Sequence, residues 1–151
     1  MDLFEWMFII SGFIFFVSMI SALILMANNK MKTVLICGVI LAILMIPISV
    51  ILINFLIVGK DLKFIIYLIL ILSYLVAEFL LDRIFKIDFR SKLSQHIPYI
   101  VLEYAACFSF VFGVLDLDRS IGWILSFFFW AFLGVLVYYI ILVRKKKKAE
   151  K

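Results

Sequence analysis

Two tyrosine–glutamate pairs stand out in a chain that is otherwise largely hydrocarbon: Tyr74 with Glu78, and Tyr99 with Glu103. Positions i and i+4 share a helix face, so each pair sets a phenol and a carboxyl group on one stripe. Between the two lies a charged segment, Asp82 to Gln95, whose Arg83 and Arg90 are the candidate cations for the carboxyl groups. Two chemistries suit such a set. One is an interhelical hydrogen-bond clasp that fixes the register of a hairpin. The other is a binding site for a proton or a small cation, because a carboxyl group inside a membrane costs about 2.5–3.5 kcal/mol at the centre and marks functional positions by default. Two carboxylates held close together cannot both stay ionised cheaply, so one is expected to keep its proton or to find a cation.

Other chemistry is poorly provided for. The single histidine, His96, offers no cluster for a metal, and Cys37 and Cys107 lie in apolar runs with no CxxC spacing. Both cysteines read as small packing residues. No nucleophile stands beside a base, so a hydrolase would lack parts. The reading is therefore of a protein that is not an enzyme, with no cofactor and no metal.

The elements that must carry these residues follow from composition. Of 151 residues, 68% are hydrophobic and 17% charged, where a soluble domain has about half and a quarter. A water-soluble fold of this size could not hide that much apolar surface, whereas a bilayer removes the difficulty. The net charge of +5 sits in loops and at the C-terminus rather than across one face, which argues against a nucleic-acid partner. Length predicts a single membrane domain over residues 1–151.

Five apolar runs are long enough to span, given that about 20 residues cross the hydrocarbon core: 6–27, 33–58, 64–81, 97–115 and 121–143. The first is preceded by Asp2 and Glu5, where a cleaved signal peptide needs positive charge, so it reads as a retained helix. In the second, Pro47 predicts a kink, and Gly38 with Ala42 makes a small-xxx-small pair suited to close helix contact. The third carries Tyr67, Tyr74 and Glu78 on one stripe, and the Asp82/Lys86 spacing predicts that its helix runs on to about Ile87. The fourth has Pro98, expected in its first turn. The fifth has Trp123 near one end and Tyr138 and Tyr139 near the other, an aromatic belt, with Trp130 expected to pack inside.

Charge bias orients these spans. Twelve of the fifteen lysines and arginines fall in the first loop, the third loop and the basic tail 144–151; three fall in the other loops. The positive-inside rule then predicts the N-terminus outside and the C-terminus cytoplasmic. The fold expected is all-α, a polytopic integral membrane protein built as a bundle of five transmembrane helices. The tail, Arg144 to Lys148 with Lys151, serves as a topology anchor and can meet anionic lipid headgroups at about 1 kcal/mol per cation. Ala149 stands where a dilysine retrieval signal needs a lysine, so the expected location is the cell membrane.

With the third and fourth spans antiparallel, a rise of about 1.5 Å per residue overlaps the two stripes in depth, bringing Tyr74 towards Glu103 and Tyr99 towards Glu78. Two functions remain open. The first is a non-enzymatic partner or scaffold subunit that docks other membrane proteins or copies of itself. The second is a carrier or channel component that binds a proton or small cation through Glu78, Glu103, Tyr74, Tyr99, Arg83 and Arg90.

Overall fold

The computed structural model describes residues 1–28, 30–80 and 93–149, and its regular structure is all helical. The helices are α1 (Leu3–Ala27), α2 (Met31–Val58), α3 (Leu62–Phe79), α4 (Leu93–Leu117) and α5 (Arg119–Ala149). All five are long and apolar enough to cross a membrane. Each packs on the next in sequence, and α5 returns to α1, closing a ring.

Contact pairs give the directions. Between α3 and α4, Lys63 reaches Asp116 at one end and Tyr74 reaches Tyr99 at the other. Partner numbers fall as they rise across this seam, so the helices are antiparallel. The same holds for α4 and α5, where Phe108 meets Phe129 and Leu115 meets Gly122. Between α1 and α5 the numbers rise together: Gly12 faces Leu125 and Phe16 faces Phe129. Those two helices run parallel, as an up-down ring with an odd number of helices requires.

The centre of the ring belongs to α1. It carries Phe8, Phe15 and Phe16, all with 0% exposure, and it touches α4 through Phe110 and α3 through Tyr74 as well as its neighbours α2 and α5. The rings fit because α4 gives way at Gly113, where an added Cβ would lie 2.7 Å from the Phe8 ring. The bundle is therefore organised around α1, not around the α3–α4 hairpin that carries the tyrosine–glutamate pairs.

Side-chain caps satisfy the first amides of α1 and α5. Asp2 and Glu5 form a reciprocal capping box on α1. Gly59 adopts the left-handed conformation, φ 70°, at the end of α2, and the Lys60 amide returns to the Phe55 carbonyl. Asp118 alone separates α4 from α5, accepting from the amides of Ser120 and Ile121 at 2.8 and 3.0 Å.

Several expectations need correction. The helices overrun the apolar spans, because caps and polar end residues keep a helix going where hydropathy has already dropped. Thus α4 begins at Leu93, which puts Pro98 beyond its first turn, and the basic segment is the last part of α5 rather than a separate tail. Trp130 does not pack inside: it is 69% exposed. A helix that is apolar all round gives no periodic signal of which side faces the core, and here Leu125, Phe129 and Phe132 take the inner side. The predicted extension of α3 towards Ile87 lies outside the described residues.

Candidate functional site

The tyrosine–glutamate pairs do meet. Tyr74 is fully buried, with its ring edge-on to Phe15 at 5.8 Å and tilted against Tyr99 at 5.8 Å. Its hydroxyl lies 3.2 Å from the Tyr99 hydroxyl and 3.5 Å from the Met19 sulfur. The Tyr99 hydroxyl donates to Oε2 of Glu78. Tyr99 gives its one proton to the carboxyl group, and the Tyr74 hydroxyl stands between the Tyr99 oxygen and the Met19 sulfur. Tyr74, Tyr99 and Glu78 thus form one polar chain. This chain spans α3 and α4 and is backed by α1.

Glu103, one turn beyond Tyr99, lies within electrostatic range of both phenols, and is half-buried. Of the six residues expected to form the cluster, Tyr74, Tyr99 and Glu78 are joined by hydrogen bonds and Glu103 stands close by. Arg83 and Arg90 lie outside the described residues. Cys37 and Cys107 are buried free thiols, Cys107 one turn from Glu103 on α4.

Beside Glu78, on the side facing α2, is a cavity of about 80 Å³ lined by Val34, Leu35, Gly38, Ala42, Leu75, Glu78 and Phe79. Gly38 and Ala42, the small-xxx-small pair of α2, form part of its wall. A water needs only about 10–15 Å³ by this measure, so the cavity takes a group of several heavy atoms.

No protein-family model, curated protein or solved structure matches the chain.

At the opposite end of the bundle is a second polar layer. Glu5 accepts from Lys60 through Oε1 while its Oε2 accepts from the Asp2 amide. Lys60 also stands 5.4 Å from the Phe55 ring centre and 5.8 Å from that of Phe64. Lys63 pairs with Asp116 at 3.1 Å. The pattern Asp2-x-x-Glu5 before an apolar run is a readable capping signal, but the partnership of Glu5 with Lys60 joins residues 55 apart in sequence. No local pattern announces it. Among the described residues no group of three histidines, cysteines or carboxylates is placed to hold a metal ion.

Proposed function

We propose that the chain is a non-enzymatic, multi-pass subunit of the cell membrane, with its N-terminus outside and its C-terminus in the cytoplasm, acting through its lipid-facing surface on another membrane protein or on further copies of itself. The observation that carries this reading is the filled interior. Phe8, Phe15, Phe16, Phe55, Phe110 and Phe132 are buried inside the bundle with at most 1% exposure each. Among the described residues such packing fills the interior of one copy, and its activity then lies at its perimeter. The outward side of α5 supports this: Trp123, Phe127 and Trp130 are 67%, 72% and 69% exposed, and aromatic side chains are the anchors that protein interfaces favour.

Photocrosslinking in native membranes tests the reading. A photoreactive residue replacing Trp123, Phe127 or Trp130 is expected to give one discrete adduct, and the same probe at Ile36, Ile43 or Ile57 on α2 only lipid adducts. Lipid adducts alone from α5 overturn it.

One observation favours a second reading, proton or small-cation binding at Glu78 and Glu103: a chain of phenols ends on a carboxyl group that borders a cavity. Here liposomes holding the wild type are expected to pass protons or cations, and liposomes holding the Glu78→Gln, Glu103→Gln variant are not. Equal fluxes in the two remove it.

A further inference from the structure

Gly134 on α5 is not accounted for by the chain's own packing. Glycine inside a helix costs stability relative to alanine. Gly12, Gly113 and Gly122 offset that cost by admitting a neighbouring helix, to which an added Cβ would stand 3.1, 2.7 and 2.6 Å. At Gly134 a Cβ would meet nothing within 4 Å. An exposed apolar face is what lipid requires of any outer helix, but lipid does not require a glycine in it. Small residues inside a membrane let two backbones approach, and van der Waals packing at such a point draws helices together.

The residues around Gly134 form a seam. Trp123, Phe127, Trp130, Gly134, Val137 and Ile141 follow one another at spacings of 4, 3, 4, 3 and 4, the period that keeps one face turned to a partner helix. The five side chains are between 49% and 72% exposed, and Gly134 is exposed among them. The apolar part of α5 runs from Arg119 to Val143, so Gly134 lies about 5 Å from its middle at 1.5 Å per residue, where two crossing helices come nearest. No charged residue lies on the seam, so the same patch can meet itself across a two-fold axis without stranding a charge. At roughly 150–250 Å² per aromatic side chain, the seam leaves about 600 Å² open on each copy, and two copies cover about 1,200 Å², which reaches the range of stable interfaces.

We propose that two copies of this chain pair through α5, side by side and parallel, with their backbones nearest at Gly134 and with Trp123, Phe127 and Trp130 packed across the two-fold axis. Copies inserted in the same sense can meet only in parallel. Their basic ends beyond Val143 then stand side by side in water, where the Debye length of about 8 Å screens them. The pairing rests on the reading that the chain acts through its perimeter, and it names the partner there as a second copy.

The test uses the full chain, labelled at its C-terminus with donor or acceptor dye, in vesicles that hold no other protein. Energy transfer is expected to rise with protein density and to level off as it does for pairs. Gly134→Val fills the point of approach without touching the chain's own packing, and Trp130→Ala removes one ring of the seam. Each is expected to raise the density needed for half-pairing about tenfold, while unfolding of Gly134→Val in dilute micelles stays that of the wild type. Energy transfer no greater than chance proximity overturns the proposal, and so does pairing that neither substitution weakens. In native membranes, a photoreactive residue at position 130 is expected to give an adduct of twice the 17.6 kDa chain, with peptides of this chain alone. An adduct with a different protein overturns self-pairing and leaves the perimeter reading standing. Lipid adducts alone overturn both.

Discussion

The two ends of the bundle handle a half-buried carboxyl group in different ways. At one end Glu5 meets an ammonium, Lys60, delivered by the α2–α3 turn, and it caps its own helix at the same time. Four helices are tied there within one layer, since Lys63 and Asp116 add the α3–α4 link. At the other end Glu78 receives a phenol's proton and borders a cavity. The contrast continues along α5. Near Asp118 the helix is pressed against α4, where a Cβ on Gly122 would stand 2.6 Å from the Leu115 Cα. Towards the other end a Cβ on Gly134 would meet nothing within 4 Å. Among the described residues, one end is cross-braced by ion pairs and close-packed, and the other carries a hydrogen-bonded carboxyl group beside a cavity. Packing and paired charge give a fixed scaffold; a hydrogen-bonded carboxyl beside an empty volume gives a place for chemistry from outside.

The largest effect that would sharpen this contrast comes from the two glycines. Gly122→Val drives a side chain into backbone that cannot move without parting α4 from α5, so a loss of about 3 kcal/mol is expected from overpacking. Gly134→Val, into open space, should leave stability within about 0.5 kcal/mol. Reversible unfolding in mixed micelles reads both. Similar losses at the two sites would show that the bundle is equally tight along its length and break the comparison.

Next is Glu5→Gln. The Glu5 side chain is 12% exposed and Lys60 is 27% exposed, so the substitution strands a largely buried ammonium and weakens a cap in one step. The expected loss is about 1–2 kcal/mol, and Lys60→Met in the same background should restore part of it, because the stranded charge is then gone. A double-mutant cycle on the same unfolding assay measures the coupling. No recovery would mean that the cap alone matters.

These pairs mark where the sequence could and could not be read. The five helices were legible because a bilayer asks for about 20 apolar residues in a row, and 68% hydrophobic composition leaves little alternative. The Tyr99–Glu78 contact was legible too: polar groups are so rare in these runs that two at i,i+4 spacing on adjacent antiparallel spans have few other partners. The central place of α1 was not. Its phenylalanines at 4, 8, 13, 15 and 16 are spread round the helix, so no face is marked, and only Gly12 and Gly113, by admitting rings close to backbone, decide that this helix goes inside. Trp130 misled for the same reason. The Glu5–Lys60 and Lys63–Asp116 pairs needed the folded topology, since each joins segments that are adjacent only once the ring has closed.

A smaller effect is expected at the open end. Tyr99→Phe removes the donor to Glu78 and the oxygen beside the Tyr74 hydroxyl while keeping the ring that packs on Tyr74. Interhelical hydrogen bonds inside membranes average about 0.6 kcal/mol, so the stability loss should be near that figure. Crosslinking between cysteines placed at 78 and 103 should still succeed, because ring packing holds the register. A loss as large as that at Glu5 would make the hydrogen-bond chain a brace like the other end.

The smallest effect belongs to Lys63 and Asp116, and it tests whether burial or pairing is what makes the Glu5 layer firm. Both pairs at that end set a lysine against a carboxylate, but the Lys63 side chain is 46% exposed and that of Asp116 is 34% exposed. Water then competes for both groups, and exposed pairs contribute about 0–1 kcal/mol. The lysine also lies 5.3 Å from the Phe64 ring centre, a contact that Lys63→Met replaces with ordinary apolar packing. The expected coupling between Lys63→Met and Asp116→Asn is about 0.3 kcal/mol, falling further as salt is raised, while that of Glu5 and Lys60 should hardly respond to salt because it is shielded from solvent. Equal couplings, or equal salt dependence, would mean that exposure does not separate the two pairs, and the firmness of that end would then have to come from Gly122 and the packed rings alone.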